Sequence, residues 1–364
     1  MRGDGRVANA WLALLSRDWL GVPIALLVTA VGVGLVALES AWAVALGWTA
    51  VTVGVALAAG AVRHLVLVAR EARERPVPGN LVDVGGHRMH LLAEGDAGDC
   101  PTVVWLPGGH SPGEDFRHLH VMTAARTRSV LVDRFGSGWS DVGPFPRTTA
   151  AEAEELMAAL EAAGERAPYV FVGHSFGGLL VANAARRRPD LVAGLVLLDP
   201  TPLEVIAFAP PNRLVAGMRG AFLRTAVRHL FGAHRGRGRD GGGRTGPYCA
   251  AASIFAELTP AGLAGVGWET VVYDGDLGDL PLVLVIPRDL TGGEAVLAAA
   301  RDTAEAERIA RFYLRTRTRY LAASSASRLV YTPAGTGHAF PTEAPGFVVG
   351  VVSDLVRELR TFSP

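Results

Sequence analysis

Lysine is absent from this chain of 364 residues, and every basic side chain is an arginine. We attribute this absence to the composition of the source genome and not to function. The 35 basic residues are balanced by 35 acidic ones, so the net charge is zero, which argues against a nucleic-acid-binding protein. Cysteine is also scarce, since Cys100 and Cys249 are the only two and lie far apart. This excludes a disulfide framework.

Several motifs that would indicate a cofactor are also missing. The sequence has no Walker motif, no dinucleotide fingerprint, no internal repeat and no cluster of residues with metal-ligand spacing. Gly136-Ser137-Gly138 is too short for a phosphate loop. We therefore expect neither a cofactor nor a bound metal.

Charge is missing from two long stretches near the N-terminus. Residues 19–38 contain 20 residues without a charge, and residues 40–62 contain another 23. About 20 apolar residues suffice to cross a bilayer core. The sequence therefore predicts a transmembrane hairpin within residues 1–62, with spans at about 19–38 and 41–62. The alternatives are a cleaved signal peptide and two buried helices of a soluble protein.

The arginines around this hairpin predict its orientation. Both flanks are basic and the turn between the spans carries no positive charge; the flanking residues are Arg2, Arg6 and Arg17 before it, and Arg63, Arg70, Arg73 and Arg75 after it. The positive-inside rule then predicts a multi-pass cell-membrane protein with two spans, in which both ends of the hairpin and the domain that follows it lie in the cytoplasm. Residues 63–79 are expected to be a linker, with a short charged helix that ends at Pro76 and Pro78.

The ten residues at 169–178 carry the strongest indication of chemistry. A β-branched and aromatic run ends in Gly173-His174-Ser175-Phe176-Gly177, and a helical pattern begins at once. This order, strand then G-x-S-x-G then helix, is typical of a nucleophile elbow. We predict that Ser175 is the nucleophile and that the backbone N–H of Phe176 is an oxyanion donor.

A second copy of the pattern, Gly109-His110-Ser111-Pro112-Gly113, follows another strand-like run. The residue after the nucleophile must donate its N–H, and Pro112 has none, so Ser111 is a poor candidate. This loop instead lies where the second oxyanion donor is expected. We assign that donor to the backbone of Gly109, or to His110 if the register differs by one residue.

A serine nucleophile needs a base, and in this architecture the histidine comes last in the chain. Three histidines follow Ser175. His229 and His234 lie in an arginine- and glycine-rich region that resembles an inserted cap, whereas His338 follows a strand-like run and precedes an amphipathic helix. The sequence therefore predicts His338 as the base.

The acid that orients the base has two candidates. Asp199 ends an apolar strand-like run, and Asp289 lies just beyond the next such run. Either carboxylate could hold the tautomer of the histidine. Position alone favours Asp199, with Asp289 as the alternative.

Four motifs in this order resemble those of the α/β-hydrolase superfamily. They are the hairpin-like segment that begins at Leu81, the run Asp133-Arg134-Phe135-Gly136-Ser137-Gly138-Trp139-Ser140-Asp141, the elbow within residues 168–178, and the pair Gly337-His338. The resemblance implies a mostly parallel eight-stranded sheet with helices on both faces. It also implies a hydrolase domain over residues 80–364 and a helical cap, at about 202–280, between strands 6 and 7. Members with an aspartate nucleophile are excluded, because position 175 is serine.

The expected function is that of a membrane-anchored serine hydrolase that acts on an ester or related acyl bond. The expected partners are a small, amphiphilic acyl substrate and the lipid bilayer, with no nucleic acid. Residues 213–244 hold eight arginines against Asp240 alone, so this part of the cap is either a lid that touches anionic headgroups or a solvated loop. The alternative functions are a non-catalytic membrane scaffold or binding protein and a cofactor-free haloperoxidase or peptidase with the same triad.

Overall fold

The structure is a computed structural model of the chain. It describes residues 10–11, 13–38, 40–74, 76–109, 111–201, 220, 223–224, 227–232, 274–288 and 302–361. The predicted acid alternative Asp289 lies outside the described residues, as do His110, His234 and most of the expected cap at 202–280.

Eight strands form one sheet, as the sequence predicts. They are β1 (Asn80–Val84), β2 (His87–Glu94), β3 (Thr102–Leu106), β4 (Ser129–Asp133), β5 (Tyr169–His174), β6 (Val192–Leu198), β7 (Leu282–Ile286) and β8 (Ser327–Tyr331). Their order across the sheet is β1-β2-β4-β3-β5-β6-β7-β8. The strands from β4 to β8 run parallel, and the opening hairpin β1–β2 joins them in antiparallel pairing. The expected fold class is confirmed.

The described helices lie before the sheet and on both of its faces. In chain order they are α1 (Gly21–Val36), α2 (Ala41–Glu74), α3 (Arg117–Ala124), α4 (Thr149–Ala162), α5 (Phe176–Arg187), α6 (Thr303–Thr318), α7 (Phe340–Glu343) and α8 (Pro345–Thr361). Short 3₁₀ turns at Asp18–Leu20, Gly113–Phe116, Pro189–Leu191 and Arg319–Ala323 precede or follow some of them.

Apolar runs explain why the central strands lie in the middle of the sheet. Every residue of β3, β5 and β7 is buried, as expected for parallel strands that are covered on both faces. One face packs on α4 and α5 through residues such as Leu160 and Leu180. The other packs on α3 and α8 through residues such as Leu119 and Val352. The carboxyl ends of β5 and β6 are therefore held between two packed layers.

Two apolar helices precede the sheet. The segments Asp18–Val36 and Ala41–Arg70 are long and apolar enough to cross a bilayer, and only 22 % and 17 % of their most apolar stretches are buried. They pack closely at two glycines: a Cβ at Gly32 would meet Gly47 O at 2.7 Å, and one at Gly54 would overlap Thr29. Gly34 lies away from this contact, since such a Cβ there would have no described heavy atom within 4 Å.

The second helix is longer than the sequence indicates. Residues 63–74, expected to form a separate short helix in a linker, continue α2 without a break as far as Glu74. The charged composition that marks this segment ends the apolar surface but does not end the helix, because arginine and glutamate are good helix formers. Pro76 and Pro78 follow the end of α2, as expected.

Candidate active site

Ser175 lies in a tight turn between β5 and α5. Its φ is 52° and its ψ is −121°, a conformation that L-residues rarely adopt. Two glycines make room for it. A Cβ at Gly173 would approach Val181 Cγ2 to 2.5 Å, and a Cβ at Gly177 would overlap the carbonyl oxygens of Leu106 and Pro107. The turn therefore has the strand, strain and glycine requirement of a nucleophile elbow.

The loop after β3 lies against this elbow. A Cβ at Gly108 would lie 3.3 Å from Ser175 Cβ, and one at Gly109 would lie 3.4 Å from Phe176 Cβ. The two segments that were predicted to supply oxyanion donors are thus neighbours. The Ser175 hydroxyl lies 3.3 Å from Thr201 Oγ1, just after β6.

Ser111, in the second copy of the pattern, has different surroundings. Its backbone N–H donates to Gly108 O at 3.2 Å, and a 3₁₀ turn at Gly113–Phe116 follows. Ser111 is not among the residues with positive φ, in contrast to Ser175. It therefore lacks the elbow geometry.

His338 and Asp199 meet across 139 residues of sequence. His338 Nδ1 lies 2.5 Å from Asp199 Oδ2. The Asp199 side chain is 2 % exposed, whereas that of His338 is 51 % exposed. Asp199 has φ 42°, a strained conformation at the end of β6 that mirrors the one at Ser175. The buried carboxylate therefore fixes one side of a ring whose other side is open.

Arg317, on α6, is a second partner of this carboxylate that the sequence did not indicate. Its Nε lies 2.5 Å from Asp199 Oδ1, and its guanidinium lies 4.9 Å from the centre of the Tyr313 ring. Burial alone would raise the pKa of Asp199, but Arg317 and then His338 hold it below its ordinary value. Asp199 therefore stays ionised although it is buried.

His174, next to Ser175, is another residue whose contacts could not be foreseen. Its Nε2–H donates to His338 O at 2.9 Å, and the two imidazole rings are 4.5 Å apart. Burial, reinforced by the nearby His338, lowers the pKa of His174 to about 3. A neutral His174 therefore supports the loop that carries His338 without adding a charge to the site.

Asp133, in the motif after β4, joins three segments of the chain near the site. It accepts hydrogen bonds from Gly113 N at 2.5 Å and Trp139 N at 2.9 Å, and it pairs with His90 Nδ1 at 2.7 Å. The next residue, Arg134, pairs with the buried Glu152 at 2.5 Å and lies over the Phe176 ring at 5.2 Å. This motif therefore positions loops around the site.

The structure thus forms two groups among the predicted residues: Gly109 and Phe176 lie at the Ser175 elbow, and Asp199 pairs with His338. The recorded contact of the Ser175 hydroxyl is with Thr201. Of the two predicted acids, Asp199 contacts His338, while Asp289 lies outside the described residues. The residues that sequence reasoning missed are Arg317 and His174. Arg317 is a largely buried arginine on an amphipathic helix, and His174 occupies a variable position of G-x-S-x-G. Neither has a local sequence signal that would reveal its contact.

The chain is similar to known proteins in both sequence and fold. The model of the alpha/beta hydrolase family matches residues 103–351. The lipase LipV of Mycobacterium tuberculosis is 51 % identical over 114 residues, which cover 31 % of this chain and 41 % of LipV. The sn-1-specific diacylglycerol lipase ABHD11 of Mus musculus is 31 % identical over 140 residues, or 38 % of this chain and 45 % of ABHD11. The chain thus spans less than half the length of these curated relatives.

Solved structures support the fold over a larger part of the chain. A probable hydrolytic enzyme from Pseudomonas aeruginosa aligns with a TM-score of 0.55 at 21 % identity, covering 77 % of this chain and 94 % of that one. Est816, an N-acyl homoserine lactone degrading enzyme, aligns with a TM-score of 0.54 at 15 % identity, covering 76 % and 99 %. Together with the family match over 103–351, these comparisons assign the chain to the alpha/beta hydrolase family.

Proposed function

We propose that the protein is a membrane-anchored serine hydrolase that cleaves an ester or related acyl bond through Ser175, His338 and Asp199. The observation that carries the proposal is a His338 ring held by a buried, ionised Asp199, on a loop that contacts His174 beside the strained Ser175 elbow. Such an arrangement activates a hydroxyl that is otherwise a weak nucleophile.

In the first half of the proposed reaction, Nε2 of His338 removes the proton of the Ser175 hydroxyl. The serine oxygen then attacks the carbonyl carbon of the substrate, and the carbonyl oxygen becomes negatively charged. The backbone N–H groups of Gly109 and Phe176 donate hydrogen bonds to this oxyanion; each such donor is typically worth about two to three orders of magnitude in rate. His338 gives its proton to the leaving group, which departs and leaves an acyl-enzyme.

In the second half, water replaces the leaving group. His338 takes a proton from the water, which attacks the acyl carbon, and the proton passes to the Ser175 oxygen as the acid is released. Throughout, Asp199 accepts the Nδ1–H of His338, which keeps Nε2 free to act as base and stabilises the imidazolium when it forms. Two contacts support this role: His338 Nδ1 to Asp199 Oδ2 at 2.5 Å and Arg317 to Asp199 Oδ1 at 2.5 Å.

An amphiphilic acyl compound is the proposed substrate. Two of the similar proteins are lipases by name, LipV and the sn-1-specific diacylglycerol lipase ABHD11. The two apolar helices before the hydrolase domain would keep the site beside a bilayer, where such substrates concentrate. We also propose that the arginine-rich segment at 213–244 approaches anionic headgroups, which attract arginine by about 1 kcal/mol per side chain.

A fluorophosphonate probe tests the nucleophile directly. We expect the detergent-solubilised wild type to be labelled and Ser175→Ala not to be labelled, because the probe reacts only with an activated serine. Ser111→Ala is the matched control: it removes the serine of the other G-x-S-x-G copy and should be labelled like the wild type.

Labelling lost in Ser111→Ala and kept in Ser175→Ala would contradict the assignment of the nucleophile. No labelling of folded wild type, with or without lipid vesicles, would favour the non-catalytic scaffold instead. A panel of esters then tests the substrate class. Preference only for short, water-soluble esters would overturn the amphiphilic assignment and leave the hydrolase intact.

A further inference from the structure

Three metal-binding side chains meet away from the proposed catalytic site. Asp18 lies in the 3₁₀ turn before α1, His64 lies in α2, and His229 lies in a helical segment at 227–230 within the expected cap. One ligand atom from each residue lies within 4.8 Å of the others. Sequence reasoning missed this group because its members come from three distant segments and have no motif spacing.

The distances fit a small transition-metal ion. His64 Nε2 lies 2.7 Å from Asp18 Oδ1, and His229 Nε2 lies 3.5 Å from the same oxygen. In a tetrahedral zinc site with metal–ligand bonds of about 2.0–2.1 Å, neighbouring ligand atoms are roughly 3.3 Å apart. The two separations from Asp18 lie about 0.6 Å below and about 0.2 Å above this value, so these two contacts fit after shifts of about half an ångström.

The chemistry of the three ligands selects among metals. Two imidazoles and one carboxylate suit zinc and its neighbours in the first transition row, whereas calcium and magnesium prefer oxygen ligands only. Neutral imidazole binds through one nitrogen while the other carries the proton. In His64, Nδ1 is buried and has no hydrogen-bond partner among the described residues, so it can carry the proton when Nε2 binds the metal.

Access to the group is from one side. His64 is fully buried and His229 nearly so, but the Asp18 side chain is 36 % exposed. Asp18 lines a cavity of about 530 Å³ whose wall also includes His87. This cavity provides the entry path for an ion and room for a water molecule as the fourth ligand.

The junction that carries the ligands is tightly packed. A Cβ at Gly21 would overlap Leu230 O, and a Cβ at Gly60 would lie 2.7 Å from Phe231 O. The Arg63 guanidinium donates a hydrogen bond to Gly232 O at 2.9 Å, so its positive charge lies against a carbonyl oxygen. Backbone contacts therefore fix the cap segment against α1 and α2 and preorganise the three ligands.

We propose that Asp18, His64 and His229 form a binding site for one zinc-class divalent ion. The ion fastens the cap segment at 227–232 to the two N-terminal helices. It is separate from the proposed hydrolytic machinery, and its binding does not depend on hydrolysis.

Metal titration of the full-length protein tests the site. The protein is prepared in detergent without a histidine tag, stripped with a chelator and titrated with Zn²⁺ against a chromophoric chelator. We expect one Zn²⁺ per chain with a dissociation constant of roughly micromolar or tighter. Asp18→Asn and His229→Gln should each weaken binding by at least about 100-fold, since removal of even an outer-shell partner costs about 10- to 100-fold.

His87→Gln is the matched control, because His87 lines the same cavity but is not one of the three ligands. It should bind zinc like the wild type. Co²⁺ gives a second readout: the wild type should develop the visible absorption of four-coordinate cobalt, and both ligand variants should not. Thermal unfolding and fluorophosphonate labelling establish that each variant is folded.

Two results would overturn the proposal. The first is a folded wild type that binds no Zn²⁺ at micromolar concentration, which would leave the group as a hydrogen-bonded cluster only. The second is zinc binding of equal affinity in the wild type, Asp18→Asn and His229→Gln, which would place the metal elsewhere in the chain.

Discussion

At the scale of single residues, Asp199 is the side chain on which most of the proposed site depends. It is buried, its backbone is strained, and it contacts two groups that carry or acquire positive charge, His338 and Arg317. A buried carboxylate is stable only when such partners compensate its lost hydration. These two partners favour Asp199 for the proposed role of triad acid, for which Asp289 is the alternative.

Asparagine substitutions distinguish the two predicted acids. We expect Asp199→Asn to lower kcat by about three to four orders of magnitude, because an amide cannot accept the Nδ1–H and favour the reactive tautomer. Asp289→Asn should change kcat by no more than about twofold, because the proposed triad does not use this carboxylate. Ester hydrolysis in detergent measures both, and the reverse ranking would assign the acid to Asp289.

Arg317 should set the lower pH limit of activity. Arg317→Met removes the charge that keeps the pKa of Asp199 low and leaves a side chain of similar length. Because the folded pKa of Asp199 then rises, its protonation inactivates the enzyme at higher pH, and the acidic limb of kcat/KM should move to higher pH.

The matched control for this prediction is Arg315→Met, which removes an exposed arginine from the same helix. Its pH profile should equal that of the wild type. An unmoved acidic limb in folded Arg317→Met would mean that His338 alone keeps Asp199 ionised.

Local sequence was sufficient to propose Ser175, Phe176 and Gly109, because an elbow is made by consecutive residues and the loop after β3 has its own glycine pattern. His338 was proposed from chain order, because it follows the last strand. The choice between Asp199 and Asp289 was not local. It depends on which carboxylate meets a histidine about 139 residues away, and on an arginine brought in by a separate helix.

At the scale of elements, the contact between α5 and the loop after β3 shapes the proposed oxyanion hole. The backbone of Gly177 approaches the carbonyl oxygens of Leu106 and Pro107 so closely that no side chain fits between them. The first turn of α5 and the loop that carries Gly109 therefore keep a fixed separation. Oxyanion donors must be placed this accurately, because they act only on a charge that appears during the reaction.

An added methyl group should separate these elements. We expect Gly177→Ala to lower kcat/KM by about two to three orders of magnitude, the usual effect of losing one oxyanion donor. The control is Gly350→Ala in α8, where a Cβ would have no described heavy atom within 4 Å. That variant should keep its activity and gain about 0.5–1 kcal/mol of stability, because alanine replaces glycine inside a helix. Equal activity in both variants would show that the loop can move away without cost.

The elements themselves were largely predictable, with one exception. Short apolar runs that follow turn residues, such as β5 and β7, are typical of buried strands. The sequence-based prediction ends α2 too early. Hydropathy shows where a helix leaves an apolar environment, but it does not show where the backbone hydrogen bonds of the helix end. The helix ends where Pro76 removes a backbone donor.

At the scale of the whole molecule, the two N-terminal helices predict an integral membrane protein. In bacterial cells the full-length chain should stay with membranes after an alkaline carbonate wash. Alkaline phosphatase fused after Leu38 should be active and a C-terminal fluorescent fusion should fold, because the basic flanks predict that both ends lie in the cytoplasm. Release by carbonate, or a mass that reveals a cleaved N-terminus, would contradict the hairpin and indicate buried helices or a signal peptide.

The unbroken course of α2 determines how the hydrolase domain would be held at a bilayer. Its 34 residues are about 51 Å long, whereas the hydrocarbon core is about 30 Å thick. Some 20 Å of rigid helix would therefore stand above the lipid and lead to β1 within a few residues. A flexible linker would let the domain change its orientation, whereas a rigid helix would hold it at one distance from the membrane and in one orientation. Gly60 and Arg63, which contact the cap segment at 227–232, lie near the membrane end of this exposed part of α2, so that segment would face the membrane surface.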